Sequence, residues 1–459
     1  MFKKTYSIHF IGIGGIGMSG IAELLLNLGY RVSGSDLKSS DLTRRLAGLG
    51  GVIHEGHSAD HVAGADVVVM SSAVSEDNPE IAAARAASIP VIPRAEMLAE
   101  LMRLKYSIAV AGAHGKTTTT SIVASVLAGG GLDPTVVIGG KLRGVDTNAV
   151  LGSGNYIVAE ADESDGSFLR MSPSIAVVTN IDREHLDYYA DLDAIVDAFA
   201  RFIDRIPFYG LAVVCLDNEP VQALIPRIEK RLVTYGMSSQ ADIQAREVRC
   251  EGQRCRYQVV RGGDVLGEVS LNLPGIHNIY NSLASIAVGL ELGIPFETIG
   301  RSLGALEGVR RRMEIKGDEM GVVVVDDYAH HPTEIKSTLL AVRDSWRDRR
   351  KVVVFQPHRY TRTQALFDEF TRAFYQSDLL LVLPIYPAGE VEIPGVSHED
   401  LCDGVRAHGH KTVVCIQRME DAGKHLEALV AEGDVVITLG AGDVWKVGEA
   451  LLTQLKDRQ

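Results

Sequence analysis

The segment "GAHGKTTTT", which begins at Gly112, carries the residue types that hold the phosphates of a nucleotide. Small residues let backbone N–H groups point at phosphate oxygens, a lysine meets the β/γ charge, and a hydroxyl reaches Mg²⁺. Gly115, Lys116 and Thr117 supply the end of such a loop, whereas Val110 stands where the full motif has glycine. We therefore predict a shortened phosphate loop, and the alternative is an ordinary strand–turn–helix unit.

Acidic residues and a histidine follow two other predicted strands. "YIVAEADESDGSF" places Glu160 at a strand end, and "TNIDREHLDYY" places His185 after another strand. Ligands of parallel α/β sheets bind at the carboxyl ends of the strands, so these side chains and Lys116 are expected at one edge. The pattern predicts an Mg–ATP site. The alternatives are a solvated acidic turn and a surface histidine.

A glycine fingerprint near the start of the chain is ambiguous. "HFIGIGGIGMSG" contains Gly12, Gly14 and Gly17 after an apolar run, and Asp36 follows 19 positions later. This spacing fits NAD(P), but it fits any other diphosphate at a helix N-terminus equally well. A glycine turn without a ligand is the third reading, so the fingerprint alone does not identify the ligand.

Three βαβ-rich blocks position these motifs, with boundaries near residues 105 and 308. Residues 8–11 predict a strand and residues 17–28 a helix, and short apolar runs such as "DVVVM" and "KVVVF" predict buried parallel strands. Residues 232–273 alternate polar and β-branched side chains, which indicates a small antiparallel patch. We expect an α/β fold of three domains with parallel sheets, Rossmann-like in the first and third blocks and a P-loop ATPase in the central block.

Composition narrows the class of protein. The chain has 459 residues and a net charge of −13, which disfavours nonspecific nucleic-acid binding. No run of 18 apolar residues predicts a membrane span, and the first residues lack the pattern of a signal peptide. The five cysteines show no zinc-site spacing, so we expect a reduced, cytoplasmic compartment.

Taken together, the motifs resemble those of the Mur ligase family. The resemblance spans the chain through "GIGGIGMSGIA", "GAHGKTTT", "EADESDGSF", "TNIDREHLD", "PGIHNIYNSLA", "RRRMEI", "DDYAHHPTE" and "FQPHRYTRT". It implies a UDP-sugar-binding domain at residues 1–105, an ATP-binding domain at 106–308 and an amino-acid-binding domain at 309–459. The first glycine fingerprint then meets UDP rather than NAD.

The resemblance also implies a reaction. It indicates ATP-dependent joining of L-alanine to the lactyl carboxylate of UDP-N-acetylmuramic acid through an acyl phosphate, with Mg²⁺, ADP and phosphate, as the first peptide-adding step of peptidoglycan precursor synthesis. The nearest alternative is the sister ligase that adds a preformed tripeptide. An oxidoreductase fused to an ATPase and a P-loop switch are alternatives of other classes.

Site residues are carried over from the resemblance position by position. The UDP-sugar set is Gly12, Gly14, Gly15, Gly17, Asp36, Ser71 and Ser72. The ATP set is Gly112, Ala113, His114, Gly115, Lys116, Thr117, Thr118, His277, Asn278, Asn281, Arg312 and Asp327. The metal set is Thr117, Glu160 and His185, and the amino-acid set is Tyr328, His330, His358 and Arg359. Lys116, His185 and His330 are the catalytic candidates, and the sequence leaves the general base open between the two histidines.

Overall fold

The computed structural model describes residues 6–71, 73–139, 149–186 and 188–458. Ser72, one of the predicted UDP-sugar residues, lies outside the described residues. The chain divides into two compact units, which are described separately. The first unit comprises Met1–Glu184, Asp191–Gln244 and Ser282–Ser302, and the second comprises His185–Ala190, Ala245–Asn281 and Leu303–Gln459.

The first unit opens with a five-stranded sheet in the order β3-β2-β1-β4-β5, in which every neighbouring pair is parallel. Its strands are β1 (Ser7–Ile11), β2 (Arg31–Asp36), β3 (Val52–Glu55), β4 (Val67–Met70) and β5 (Val91–Pro93), and its helices are α1 (Ile16–Asn27), α2 (Asp41–Gly48), α3 (Pro79–Ala86) and α4 (Arg94–Met102). The strand order reverses between β1 and β4, which is where doubly wound sheets bind ligands.

The phosphate loop follows β6, which is the fourth strand from the β8 edge of the central sheet. Its strands in the first unit are β6 (Tyr106–Ala111), β7 (Thr135–Val137), β8 (Ala149–Val150), β9 (Tyr156–Glu160), β10 (Ile175–Val178), β11 (Leu211–Cys215), β12 (Leu232–Gly236) and the start of β13 (Ile243–Glu251); the helices are α5 (Lys116–Gly129), α6 (Leu192–Asp204) and α7 (Glu219–Leu224). Strand β6 pairs in parallel with both β9 and β10, so the carboxyl ends of the three strands are adjacent.

The second unit contains an antiparallel hairpin and a six-stranded sheet in the order β16-β17-β21-β18-β19-β20. The strands are β14 (Arg254–Arg261), β15 (Asp264–Leu271), β16 (Glu314–Glu319), β17 (Val322–Asp327), β18 (Lys351–Phe355), β19 (Leu379–Val382), β20 (Val413–Cys415) and β21 (Val435–Leu439). The remaining helices of the chain are α8 (Ile276–Glu291), α9 (Phe296–Gly304), α10 (Pro332–Ser345), α11 (Tyr360–Ala365), α12 (Phe367–Thr371), α13 (His398–Ala407), α14 (Ala422–Leu429) and α15 (Trp445–Lys456).

The α/β fold with three sheets is confirmed, but two sheets contain antiparallel pairs that were not expected, and the first of these is β7 with β8 in the central sheet. Strand β16 pairs antiparallel with β17, so the C-terminal sheet is mixed. The sequence of β16, "EIKGDE", is polar. The strand lies at the edge of the sheet, where a strand need not be apolar on both faces. The predicted antiparallel patch is present as the β14–β15 hairpin.

Two of the cysteines lie next to each other in the structure. Cys250 and Cys255 form a disulfide across the turn between β13 and β14, with their Cα atoms 4.1 Å apart. The five-residue separation brings them opposite each other on the two strands, a geometry that the spacing alone did not suggest. Within the described residues no helix is both long and apolar enough to cross a bilayer.

Candidate active site

The glycine loop after β1 is tied to the end of β2. The backbone N–H groups of Gly12 and Ile13 both donate to the carbonyl oxygen of Ser35, at 2.9 and 3.0 Å. Gly14 N–H donates to Asp36 Oδ2 at 2.8 Å, and a Cβ on Gly14 would come within 2.9 Å of that oxygen. Asp36 thus fixes the loop, and its place in the UDP-sugar set stays a prediction.

Gly15 and Gly17 begin helix α1 in different surroundings. A Cβ on Gly15 would make ordinary contacts, 3.5 Å from Gly12 O and 3.8 Å from the Met18 side chain, so it would fit without displacing the loop. A Cβ on Gly17 would overlap the guanidinium of Arg94, whose Nη2 lies 3.6 Å from Asp162 Oδ2. Arg94 was missed by sequence analysis because nothing local relates it to the glycine loop. Ser71 lies against Gly12, 3.1 Å from the position of a Cβ there.

A buried carboxylate lies beneath this loop. Glu80 is fully buried; Ser35 Oγ donates to its Oε2 at 2.6 Å, and His57 and His61 lie 3.0 and 2.7 Å from its oxygens. Burial would raise the pKa of Glu80, but hydrogen bonds from His9, Ser35, His61 and His57 outweigh it and lower the pKa to about 2. The network therefore joins β1, β2 and α3 at the site end of the first sheet.

The phosphate loop requires glycine at Gly112. This residue has φ +135°, and a Cβ on it would overlap Thr179 Oγ1 and lie 2.9 Å from Asn180 O. The next sheet strand holds the loop through Ala113 N–H to Asn180 O at 3.1 Å and His114 N–H to Asn180 Oδ1 at 2.8 Å. The strand–loop–helix unit expected from sequence is therefore present, with Gly115 at φ +80° before helix α5.

Lys116 lies back over its own loop. Its Nζ donates to Gly112 O at 2.6 Å, to Ala113 O at 3.2 Å and to Glu163 Oε1 at 2.7 Å. Burial alone would lower the pKa of Lys116, but the nearby carboxylates, first among them Glu163, raise it above its ordinary value. Lys116 is therefore a charged lysine inside a partly enclosed loop.

The predicted metal residues Thr117 and Glu160 are brought together. Thr117 Oγ1 donates to Glu160 Oε2 at 2.9 Å, and Gly139 N–H donates to the same oxygen at 2.8 Å. A hydroxyl and a carboxylate oxygen at this spacing form the all-oxygen donor set that Mg²⁺ prefers, so the residues fit that ion. Thr118 is buried in the first turn of α5.

The two histidines of the central motifs have different settings. His114 Nε2 lies 2.8 Å from Asp182 Oδ2 in the first unit. His185 belongs to the second unit and has φ +56°, and its carbonyl oxygen accepts the N–H groups of Tyr188 and Tyr189. Its role as a ligand of a second Mg²⁺ stays a prediction.

Helix α8 begins with the residues predicted to meet adenine. Asn278 Nδ2 donates to Pro274 O at 2.7 Å, and Asn281 Nδ2 donates to Asn278 Oδ1 at 3.1 Å. Burial and then the positive charge of Arg312 lower the pKa of His277 to about 4, so its imidazole is neutral at neutral pH. The second unit thus places Arg312 near the start of α8, as the predicted ATP set requires.

The carboxylate of Asp327 accepts hydrogen bonds from three groups of the chain. It accepts Met313 N–H at 2.7 Å, Ala329 N–H at 2.8 Å and the Thr338 hydroxyl at 3.3 Å. Burial raises its pKa to about 6. The side chain therefore ties the end of β17 to helix α10, and its predicted contact with a nucleotide stays a prediction.

The predicted amino-acid residues form a row of rings at the carboxyl ends of the C-terminal strands. Tyr328 and His330 have ring centroids 5.3 Å apart, and His330 and His358 have theirs 6.0 Å apart. The row ends at Tyr386, which stacks on His358 at 5.4 Å with planes 7° apart. Tyr386 was not predicted, although it follows β19 and strand ends of parallel sheets meet at one edge.

Guanidinium groups surround this row. Arg311 and Arg312 lie over the Tyr328 ring, 5.0 and 5.2 Å from its centroid, and Arg362 Nη1 lies 3.4 Å from His358 Nδ1. Burial, then His330 and the arginines, lower the pKa of His358 to about 3. His358 is therefore neutral, and the cluster carries the fixed positive charge that suits a carboxylate or phosphate.

Arg359 has an unusual backbone for a non-glycine residue. It adopts φ +71° and ψ 138°, a conformation that costs of order 1–3 kcal/mol and persists where the surroundings impose it. Its N–H donates to Tyr386 O at 2.8 Å, and its Nη1 lies 4.0 Å from Glu390 Oε1. Glu390 also accepts the N–H and hydroxyl of Thr361 at 3.1 and 2.6 Å. Glu390, also missed from sequence, helps to fix this turn.

Three family profiles match the chain in sequence order. "Mur ligase family, catalytic domain" matches residues 7–106, "Mur ligase middle domain" matches residues 110–289, and "Mur ligase, glutamate ligase domain" matches residues 311–442.

Individual relatives are similar over nearly the whole chain. A UDP-N-acetylmuramate--L-alanine ligase of Desulfatibacillum aliphaticivorans is 67% identical over 452 residues, which cover 98% of this chain and 99% of the relative. The crystal structure of UDP-N-acetylmuramate-alanine ligase MurC from Thermotoga maritima is similar with a TM-score of 0.81 at 30% identity, covering 99% and 100% of the two chains. A murein peptide ligase from Psychrobacter arcticus has a TM-score of 0.72 at 25% identity, covering 98% of each chain.

Proposed function

The chain belongs to the Mur ligase family, and we propose that it joins L-alanine to UDP-N-acetylmuramate at the expense of ATP, which becomes ADP and phosphate. The observation that carries this proposal is the 67% identity to an alanine-adding ligase over 98% of the chain. The second candidate is the ligase that adds a preformed peptide to the same sugar. The similarity to the murein peptide ligase, at 25% identity, supports this candidate.

The reaction needs an activated carboxylate. An oxygen of the lactyl carboxylate attacks the γ-phosphorus of ATP, ADP leaves, and an acyl phosphate forms. The amine of L-alanine then attacks the acyl carbon, and phosphate leaves from the tetrahedral intermediate. Lys116 binds the β/γ-phosphate oxygens and stabilises the charge that develops on them. Thr117 and Glu160 would hold Mg²⁺, which would supply positive charge next to the phosphates.

We assign the general base to His330 rather than His185. His330 Nδ1 lies 3.0 Å from Tyr328 O, and a carbonyl oxygen only accepts, so Nδ1 carries the proton. In the neutral ring the lone pair then belongs to Nε2, and Glu334 Oε2, 3.3 Å from Nδ1, supports this tautomer. Nε2 takes a proton from the ammonium of L-alanine, and Arg359 pairs with its carboxylate.

The same proposal assigns the UDP diphosphate to the N-terminus of α1, where backbone N–H groups and the helix dipole favour an anion. The three-domain division at residues 105 and 308, with UDP-sugar, ATP and amino acid in chain order, belongs to the same proposal. We place this reaction in the cytoplasm, because it consumes ATP and a nucleotide-linked sugar. It is the first peptide addition in peptidoglycan precursor synthesis.

A phosphate-release assay tests the proposal. Release should require ATP, Mg²⁺, UDP-N-acetylmuramate and L-alanine together, and omission of any one component should remove it. Mass spectrometry of the sugar product should show the addition of one alanine residue. Turnover with a tripeptide in place of L-alanine, and none with L-alanine, would transfer the chain to the peptide-adding ligase.

A further inference from the structure

Glu163 is a buried carboxylate to which the proposed reaction assigns no role. It has 2% of its surface exposed and lies on the turn after β9, three residues beyond Glu160. Its Oε1 is 2.7 Å from Lys116 Nζ. Separating a buried ion pair is costly, because each group then remains charged and buried without its counter-ion.

The ammonium group of Lys116 has three protons, and three acceptors take them. Two of these acceptors are neutral carbonyls, Gly112 O and Ala113 O, and the third is the carboxylate of Glu163. A phosphate can reach Nζ only by replacing at least one acceptor. The carbonyls are the weaker partners, because they carry only a partial negative charge, whereas the carboxylate of Glu163 attracts the ammonium with a full charge.

We propose that Glu163 is a positioning residue, which keeps its bond to Lys116 during turnover and directs the other two protons of the ammonium toward the β/γ-phosphates. The inference rests on the proposed function. The arrangement has an electrostatic cost, because Glu163 adds a negative charge close to the triphosphate. It also has a kinetic benefit, because it prevents a flexible side chain from rotating away from the reacting phosphoryl group.

The two effects have opposite signs, so one substitution separates them. Glu163→Gln keeps the shape and an accepting oxygen and removes the charge. Magnesium-free ADP should bind about 10-fold more tightly, because one repulsive charge is gone. The kcat should fall about 10-fold or more, because Lys116 is no longer held in one direction. Glu163→Asp keeps the charge, so its ADP affinity should stay near that of the wild type.

The experiment combines titration calorimetry of ADP in EDTA with the phosphate-release assay. Asp165→Asn is the matched control, since Asp165 is an exposed acid on the same turn and should leave both quantities unchanged. Thermal unfolding checks that each variant folds; if Glu163→Gln does not, Glu163→Asp with wild-type ADP affinity and reduced kcat supports the proposal.

Two outcomes overturn the inference. Unchanged ADP affinity in Glu163→Gln means that the carboxylate does not act on the phosphate site. Tighter ADP binding with unchanged kcat means that Glu163 only competes for the lysine in the empty loop. Both readouts are distinguishable from failure of the proposed function, which would appear as a wild-type protein that binds ADP without alanine-dependent turnover.

Discussion

Lys116 is the residue on which phosphoryl transfer depends most directly. Lys116→Ala removes a fixed cation beside the transferring group, which should lower kcat by roughly 10²-fold or more. The affinity for UDP-N-acetylmuramate should stay unchanged, because the proposed UDP site is built on a different sheet. The measurement pairs phosphate release with calorimetric titration of the UDP-sugar. Near-normal turnover in this variant would refute the phosphate-loop assignment.

In the proposed reaction, Arg359 is the residue on which binding of the amino acid depends most directly. Arg359→Lys keeps the charge and loses the two-pronged hydrogen bonding to a carboxylate, which is worth about 1.5–3 kcal/mol for charged groups. The KM for L-alanine should therefore rise about 10- to 100-fold, and the KM for ATP should stay nearly constant.

Arg372→Lys is the matched control for Arg359, since Arg372 is an exposed arginine in the same structural unit. Steady-state kinetics with each substrate varied in turn measures the effect. An equal rise in the KM of ATP and L-alanine would indicate that Arg359 supports the whole domain rather than the α-carboxylate.

At the scale of elements, the loop between β1 and α1 separates a fold effect from a ligand effect. Gly15→Val adds a side chain whose Cβ makes only ordinary contacts with the chain, at the place where the backbone should approach the diphosphate. UDP-sugar binding should weaken at least about 10-fold, and the Tm should change little. Gly14→Val should lower the Tm as well, because its side chain collides with Asp36.

Gly48→Ala is the control for both glycine variants, since a Cβ there meets nothing within 4 Å. Thermal unfolding and calorimetric titration of the UDP-sugar are the readouts. Wild-type UDP-sugar affinity in Gly15→Val would place the diphosphate elsewhere, and tight binding of NADH to the wild type would restore the dinucleotide interpretation.

The network of Glu80 predicts acid lability of the first sheet. The pKa of Glu80 is about 2 in the folded chain and lies near 4.5 when the carboxyl is unperturbed. Because the folded value is the lower one, Glu80 contributes stability that is complete above about pH 4.5 and is lost as the pH falls toward 2. The Tm of the wild type should fall more steeply over this window than that of Glu80→Gln.

Glu76→Gln is the control for Glu80, because Glu76 is an exposed partner of Arg85 and exposed pairs contribute little. Thermal unfolding at a series of pH values between 7 and 2.5 makes the comparison. Parallel Tm curves for the wild type and Glu80→Gln would show that the carboxylate has the same pKa in both states of the chain.

At the scale of the whole molecule, sequence patterns were most informative where chemistry is local. The phosphate loop, the strand ending at Glu160 and the hairpin β14–β15 each depend on neighbouring residues, so their sequence patterns suffice. The three-sheet α/β fold follows from the apolar runs between them.

Long-range pairs were beyond the reach of sequence patterns. Arg94 beside Gly17 and Glu390 beside Arg359 come from separate segments, and no periodicity relates them. Asp36 was predicted as a UDP-sugar residue, and its hydrogen bond from Gly14 N–H, 22 residues away, could not be read from the sequence. Strand β16 was missed because an edge strand needs no apolar run.

The neutral imidazole of His358 has a consequence for inhibitor chemistry. Its pKa of about 3 keeps it uncharged near neutral pH, and the guanidinium groups of Arg311, Arg312 and Arg362 lie around the row. A competitive compound aimed at this row of rings therefore needs a permanent negative group, such as a phosphonate, together with a flat aromatic surface to lie against Tyr386. His358 should contribute no pH dependence to its potency near neutral pH, and masking the anion as an ester would be the means of delivering it into a cell.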